Sequence, residues 1–179
     1  SAIVTDSRAI TGLSIGRRLE AFIKAQTAGH DYLSHMLHEA LASRPPTGFV
    51  RDFVVEAEGE HKGELNLKKR GLAPVVGIGR WVAVAARLPI SSTQERLESG
   101  AQAGLLTRDE ADTLKGSHEE MFELLFEQEI EALREGRAPS TYLNPQHLDS
   151  LARRHLRESF RAIAAVQSNL EAQWVSRMR

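Results

Sequence analysis

The sequence predicts a mainly α-helical bundle that carries one small β-hairpin. Through two long stretches near the C-terminus, apolar residues recur every three, four or seven positions, the spacing of one helix face. Capping patterns open helices at Thr107-Arg108-Asp109-Glu110 and at Ser91-Ser92-Thr93 with Glu95 behind it. Strand signals, by contrast, are short: a weak run at Ile3 to Ile10, then Phe49 to Ala57 and Glu64 to Lys68.

In order along the chain, Ser1-Ala2 in place of an initiator methionine reads as a cleaved-tag remnant or a truncation. Ile3 to Ile10 ends at Thr11-Gly12 without a hairpin partner beside it, and a lone strand is not stable in water. It is expected to be an arm on the domain or the tail of a preceding domain's sheet. Leu13 to Ala28 reads as a helix with Ile15, Leu19, Phe22 and Ile23 on one stripe, broken by Gly29. His30 to Ser43 is a second helix burying Leu33, Met36, Leu37 and Leu41, and Pro45-Pro46 ends it.

Phe49 to Ala57 turns at Glu58-Gly59-Glu60 and is expected to pair with Glu64 to Lys68, where Leu65 and Leu67 point inward and Asn66 and Lys68 outward. Pro74 suits a first helical turn, because its missing amide hydrogen is not needed there. The helix from Val75 to Leu88 then puts Arg80 and Arg87, two turns apart, on one side, and Pro89 closes it. Thr93 to Ala103 is a short helix ended by Gly104. The capping box at Thr107 opens a long helix to Glu135 with Leu114, Met121, Phe122, Leu125, Phe126, Ile130 and Leu133 as apolar positions. A loop holding Pro139 leads to Pro145 and a last helix carrying Leu148, Leu151, Leu156, Phe160, Ile163, Leu170 and Trp174.

At 179 residues the chain suits one domain with a sizeable core. A composition 41% hydrophobic and 26% charged is that of a globular protein, and a net charge of −1 gives no electrostatic case for duplex nucleic acid. There is no cysteine, hence no disulfide, and no run of about 18 apolar residues to span a membrane. A cytoplasmic location is expected.

The chemistry-bearing residues gather between Lys62 and Leu97. The outward Lys68, Arg80 and Arg87 on one helix, and Arg96 behind the Ser91-Ser92-Thr93 helix start combine cations, hydroxyls and helix amides, which suits a phosphate or carboxylate. The plain alternative is a set of solvated helix faces. His35 and His38 beside Glu39 lie one turn apart, a conceivable metal spacing without a third ligand. Gly77-Ile78-Gly79 falls inside a helix and so does not read as a dinucleotide loop, and His118-Glu119-Glu120 lacks the second histidine of a zinc protease. No complete catalytic constellation and no metal site is predicted.

At Leu65-Asn66-Leu67-Lys68, Pro74-Val75-Val76 leading to Arg80, Thr93-x-x-Arg96-Leu97, and Gly136-x-x-Pro139 leading to Pro145, nearly the whole chain resembles the family of nucleotidyltransferase substrate-binding domains. These are C-terminal modules of bacterial proteins related to the PII-protein uridylyltransferase. The resemblance implies a helical bundle following a nucleotidyltransferase domain, often with cyclic-nucleotide-binding and CBS modules upstream, and a role in signal transduction. It assigns residues 1–12 to a tag remnant and the last strand of the catalytic domain, and 13–179 to the helical domain. It places Lys68, Arg80, Thr93 and Arg96 at the interdomain cleft as substrate-binding residues. It implies no cofactor in this chain, with Mg²⁺ and a nucleoside triphosphate used by the full-length protein. Expected partners are the upstream domain, a nucleotide or protein acceptor and a second copy of the chain. The superfamily's catalytic carboxylates come from an Asp-x-Asp pair, which this sequence does not contain, so the chain alone is expected to be inactive. Two alternatives belong to other classes: a regulatory or protein-interaction domain, with Arg80 and Arg96 closed off by packing, and a metal-dependent enzyme using His35 and His38.

Overall fold

The computed structural model describes residues 13–25, 29–45, 53–88 and 92–175. Among them are six helices: α1 (Leu13–Ala25), α2 (His30–Ala42), α3 (Ala73–Ala85), α4 (Thr93–Gln102), α5 (Arg108–Arg134) and α6 (Ser150–Leu170). Two short strands, β1 (Leu65–Asn66) and β2 (Tyr142–Leu143), pair antiparallel. The mainly helical class with a small antiparallel pair is therefore what the sequence predicted. The Ile3 to Ile10 run, Phe49 to Asp52, Pro89 and Ser91 lie outside the described residues.

From α2 onward, each helix packs on the next, and a π-helical turn at Glu171–Val175 brings the chain end back to α2. There Trp174 meets Trp81 of α3 edge to face, with ring centroids 5.5 Å apart. The enclosed core holds Trp81, Phe160, Leu37, Ile78, Leu97, Leu114, Met121 and Ile163, all with almost no exposed surface. Gln167, fully buried on α6, seals the α2 contact: its Nε2 donates to the carbonyls of Ala40 and Ser43 at 3.0 Å each. Those carbonyls belong to a helix end, where intrahelical partners run out.

The expected hairpin takes a different partner. Glu56 and Gly63–Glu64 do fold back on each other, the Glu56 amide donating to the Glu64 carbonyl at 2.8 Å, but residues 53–57 form no strand. β1 pairs instead with the loop after α5, with Leu65 opposite Leu143 and Asn66 opposite Tyr142. His61 stacks flat on Tyr142 at 3.5 Å, and Gln128 of α5 donates to the Tyr142 carbonyl at 2.6 Å. The strand also ends early. Asn66 Oδ1 accepts from the Lys69 amide at 2.8 Å, and Lys68–Leu72 winds into a π-helical turn that runs straight into α3.

Helix ends follow local chemistry. Ser92 and Thr107 both form full capping boxes, with Glu95 and Glu110 reaching back. Gly104 and Gly136 take φ of 69° and 72° just past α4 and α5, and the next amide turns back to a carbonyl of the last turn. The end of α3 uses the same device with Arg87 at φ 53°: Leu88 donates to Ala83 and Arg87 to Val84. So α3 stops at Ala85, before Pro89 can act, and Arg80 and Arg87 do not share a helix face. Likewise Pro145 precedes a cap loop, not a helix. Asp149 caps α6 through the Leu151 and Ala152 amides, and Arg153 reaches back to the carbonyls of Pro145, Gln146 and Leu148.

Not every apolar stripe is buried. Ile15 and Phe22 of α1 and Leu133 of α5 are exposed, as is Leu151 of α6. Phe122 and Phe126, each 54% exposed, stack along the outside of α5 with His118.

Candidate functional site

The polar set named from the sequence sits on one rod, from the π-helical turn through α3, and on the α4 start beside it. Two glycines of α3 decide how closely its neighbours approach. They are two residues apart, so they face opposite ways on a helix. A Cβ at Gly77 would lie 3.2 Å from the Ala40 Cβ of α2, and one at Gly79 would lie 3.4 Å from the Thr93 methyl and 3.8 Å from the Arg96 Cβ. The Gly-Ile-Gly run is thus a pair of packing notches.

The notch at Gly79 brings Thr93 and Arg96 against α3 next to Arg80. Lys68 is not brought there: twelve residues before Arg80 on a nearly continuous rod, it lies roughly 18 Å away along the axis. Exposure also divides the set. Lys68 is exposed, Arg80 and Thr93 are half-buried, and Arg96 is only 3% exposed. Neither arginine is without a partner. The Arg96 guanidinium therefore stands inside the packing, not on an open face.

The α4 N-terminus carries a full capping box. Glu95 accepts from the Ser92 amide at 2.7 Å and from its hydroxyl at 2.9 Å. The amide bond first, then the hydroxyl bond, hold its carboxyl below the usual range. Further along α4, Glu98 accepts from Arg108 and from Lys115 Nζ (2.9 Å), and Gln94 donates to the Lys115 carbonyl. Hydrogen bonds from Arg108 and then Lys115 lower the Glu98 carboxyl to about 2. These ties clamp α4 on α5 and so hold Thr93 and Arg96 in place.

His35 and His38 are both exposed on α2. Among the described residues no three His, Asp or Glu side chains come together as metal ligands. One polar cluster had no signal of its own in the sequence: Ser159 Oγ donates to the Glu120 carboxylate, whose other oxygen lies 3.3 Å from His155 Nδ1. Glu120 belongs to the His118-Glu119-Glu120 run, which draws attention only as a zinc-protease fragment. The one hint of its partners is the four-residue spacing of His155 and Ser159 on a helix.

Fold and site together define a small helical bundle in which Arg80, Thr93 and Arg96 meet at the junction of two helices. A family model described as "Putative nucleotidyltransferase substrate binding domain" matches residues 30–174, most of the chain. The chain belongs to that family. No curated protein and no solved structure matched it. Among the described residues no helix is long and apolar enough to cross a membrane.

Proposed function

We propose that this chain is the substrate-binding helical domain of a cytoplasmic, PII-uridylyltransferase-like nucleotidyltransferase in a bacterial signal-transduction protein. It holds the nucleotide or the acceptor against a catalytic domain that precedes residue 13. Family membership over residues 30–174 carries the reading.

In this reading the half-buried Arg80 and the Thr93 hydroxyl contact phosphate oxygens, since a guanidinium pairs well with phosphate. Arg96 acts through them, by keeping α4 seated on the Gly79 notch. Lys68, far along the rod, serves the other end of an extended ligand. Mg²⁺ would bridge the triphosphate and stabilise its developing charge. In this reading its carboxylate ligands come from the catalytic domain.

The test is a titration of the natural gene product with Mg²⁺ and nucleoside triphosphates, comparing wild type with Lys68→Ala and Arg80→Ala. Each lost charged hydrogen bond should weaken binding by about 1.5–3 kcal/mol, roughly tenfold to a hundredfold, with the helical circular dichroism unchanged. Unchanged affinity in both variants, or unfolding of both, would overturn these assignments.

Burial of Arg96 favours a second reading, a regulatory or protein-interaction domain whose cations support packing. That reading expects Arg80→Ala to leave nucleotide affinity untouched while docking to the neighbouring domain weakens.

A further inference from the structure

One side of α5 changes character along its length. Lys115, Phe122, Phe126 and Leu133 follow one another at helical spacings and so stand in one row. At Lys115 α4 lies over the row, because Gln94 and Glu98 bond its carbonyl and its ammonium. From Phe122 onward the row is bare: Phe122 and Phe126 are each 54% exposed and Leu133 is 61% exposed. The rings of His118, Phe122 and Phe126 lie nearly parallel, with successive centroids 6.3 Å apart, and form a flat strip. Apolar side chains aligned in this way mark a helix face that packs on something.

The border of the strip is acidic. Glu119, Glu123 and Glu127 each follow one of the rings and make the adjoining row, and Glu129 interrupts the strip before Leu133. Glu123, Glu127 and Glu129 form no salt bridge among the described residues. Such a border repels nucleic acid and anionic lipid, and it favours a partner with cations beside its own apolar stripe.

Helix α1 has that character. By sequence its stripe is Ile15, Leu19, Phe22 and Ile23, and Arg17, Arg18 and Lys24 outnumber Glu20. Ile15 is 71% exposed and Phe22 62%, and both arginines are exposed. Among the described residues, the helix contacts that build the bundle run from α2 to α6 and do not include α1. Length agrees as well: the 13 residues of α1 make a helix of about 20 Å, and His118 to Leu133 spans about 22 Å.

We infer that α1 of one copy of this chain packs along the strip from Phe122 to Leu133 on α5 of a second copy, and that mutual exchange of α1 closes a two-fold dimer. Each surface supplies what the other lacks, apolar rows of matching length with cations against carboxylates. Reciprocal exchange buries both strips and leaves none to recruit further copies. The inference does not depend on the nucleotidyltransferase reading.

The test is sedimentation equilibrium of the whole chain up to about 300 µM, where a dimer with Kd of about 100 µM or below is expected. Phe22→Ser in α1, and Phe122→Ser together with Phe126→Ser in α5, should each raise that Kd tenfold or more without changing the helical circular dichroism, since these side chains are exposed. Charge reversal checks the pairing directly. Arg17→Glu with Arg18→Glu, or Glu123→Lys with Glu127→Lys, should each weaken the dimer, and all four substitutions in one chain should restore it. A monomer at the highest concentration overturns the inference, as does a dimer that withstands both sets of serine variants or a four-substitution chain that stays monomeric. A monomer in which amide exchange of α1 is slowed, and is quickened by Phe126→Ser, shows α1 closing on its own α5 and overturns exchange between copies.

Discussion

Glycine-to-alanine exchange should have opposite signs at two positions of this bundle. At Gly71, in the π-helical turn, a new Cβ would stand 2.6 Å from Met121 Sδ, 3.0 Å from Leu67 Cδ1 and 3.2 Å from Phe160 Cε1. Carbon contacts are most favourable near 3.5–4.0 Å. Leu67, Met121 and Phe160 are all fully buried, so none can retreat without disturbing the core. Overpacking of this kind costs about 1–3 kcal/mol, and the helical preference of alanine returns up to about 1 kcal/mol. Gly71→Ala should therefore destabilise by about 1–2 kcal/mol. At Gly116 the same methyl meets open space and only the helical preference remains, so Gly116→Ala should stabilise by up to about 1 kcal/mol. Urea unfolding followed by helical circular dichroism measures both, with unchanged slopes expected. At this chain length each kcal/mol is worth roughly 2–4 °C in Tm. Movement of both variants in the same direction would refute the packing argument.

Two further predictions concern the clamps between helices. Glu98 has its folded-state pKa lowered from 4.5 to about 2, so its contribution is complete above 4.5 and is lost as pH falls toward 2. Glu98→Gln should flatten that part of the stability profile, and added salt should shrink the difference, because the pair is exposed. A wild-type and variant pair that diverge only at alkaline pH would contradict the assignment. Gln167→Leu removes two hydrogen bonds to the end of α2 and leaves the buried Ala40 carbonyl short of a partner, at a cost of about 1–3 kcal/mol. Its amide exchange should quicken first in α2, and uniform protection across the bundle would show that the contact does not hold that helix.

Much of the bundle was legible because the signals are local. Ser92 and Thr107 each carry their own capping partner three residues on, and Gly104 and Gly136 supply the left-handed backbone that ends a helix. Periodicity found α5 and α6 for the same reason, since a helix face is written into neighbouring turns. Of the site, the family resemblance singled out Lys68, Arg80, Thr93 and Arg96, but the sequence could not sort them by access.

That sorting depends on contacts between residues far apart in the chain. Arg96 reads as a surface residue by type, and it is buried because Gly79 lets α4 approach α3. Phe122 and Phe126 read as core and lie outside, because the face of α5 that meets α4 and α6 is the one bearing Leu114, Ser117, Met121 and Leu125. β1 finds its partner at Tyr142–Leu143 across the whole length of α3 to α5, a pairing that no local alternation encodes. The cluster at Glu120 joins residues some forty positions apart. By itself the sequence determined the helix starts at Ser92 and Thr107 and the helix ends at Gly104 and Gly136, as those choices depend on a few adjacent residues. Only the tertiary structure decided which polar groups reach solvent, because burial is a property of the neighbours a side chain meets and not of the side chain.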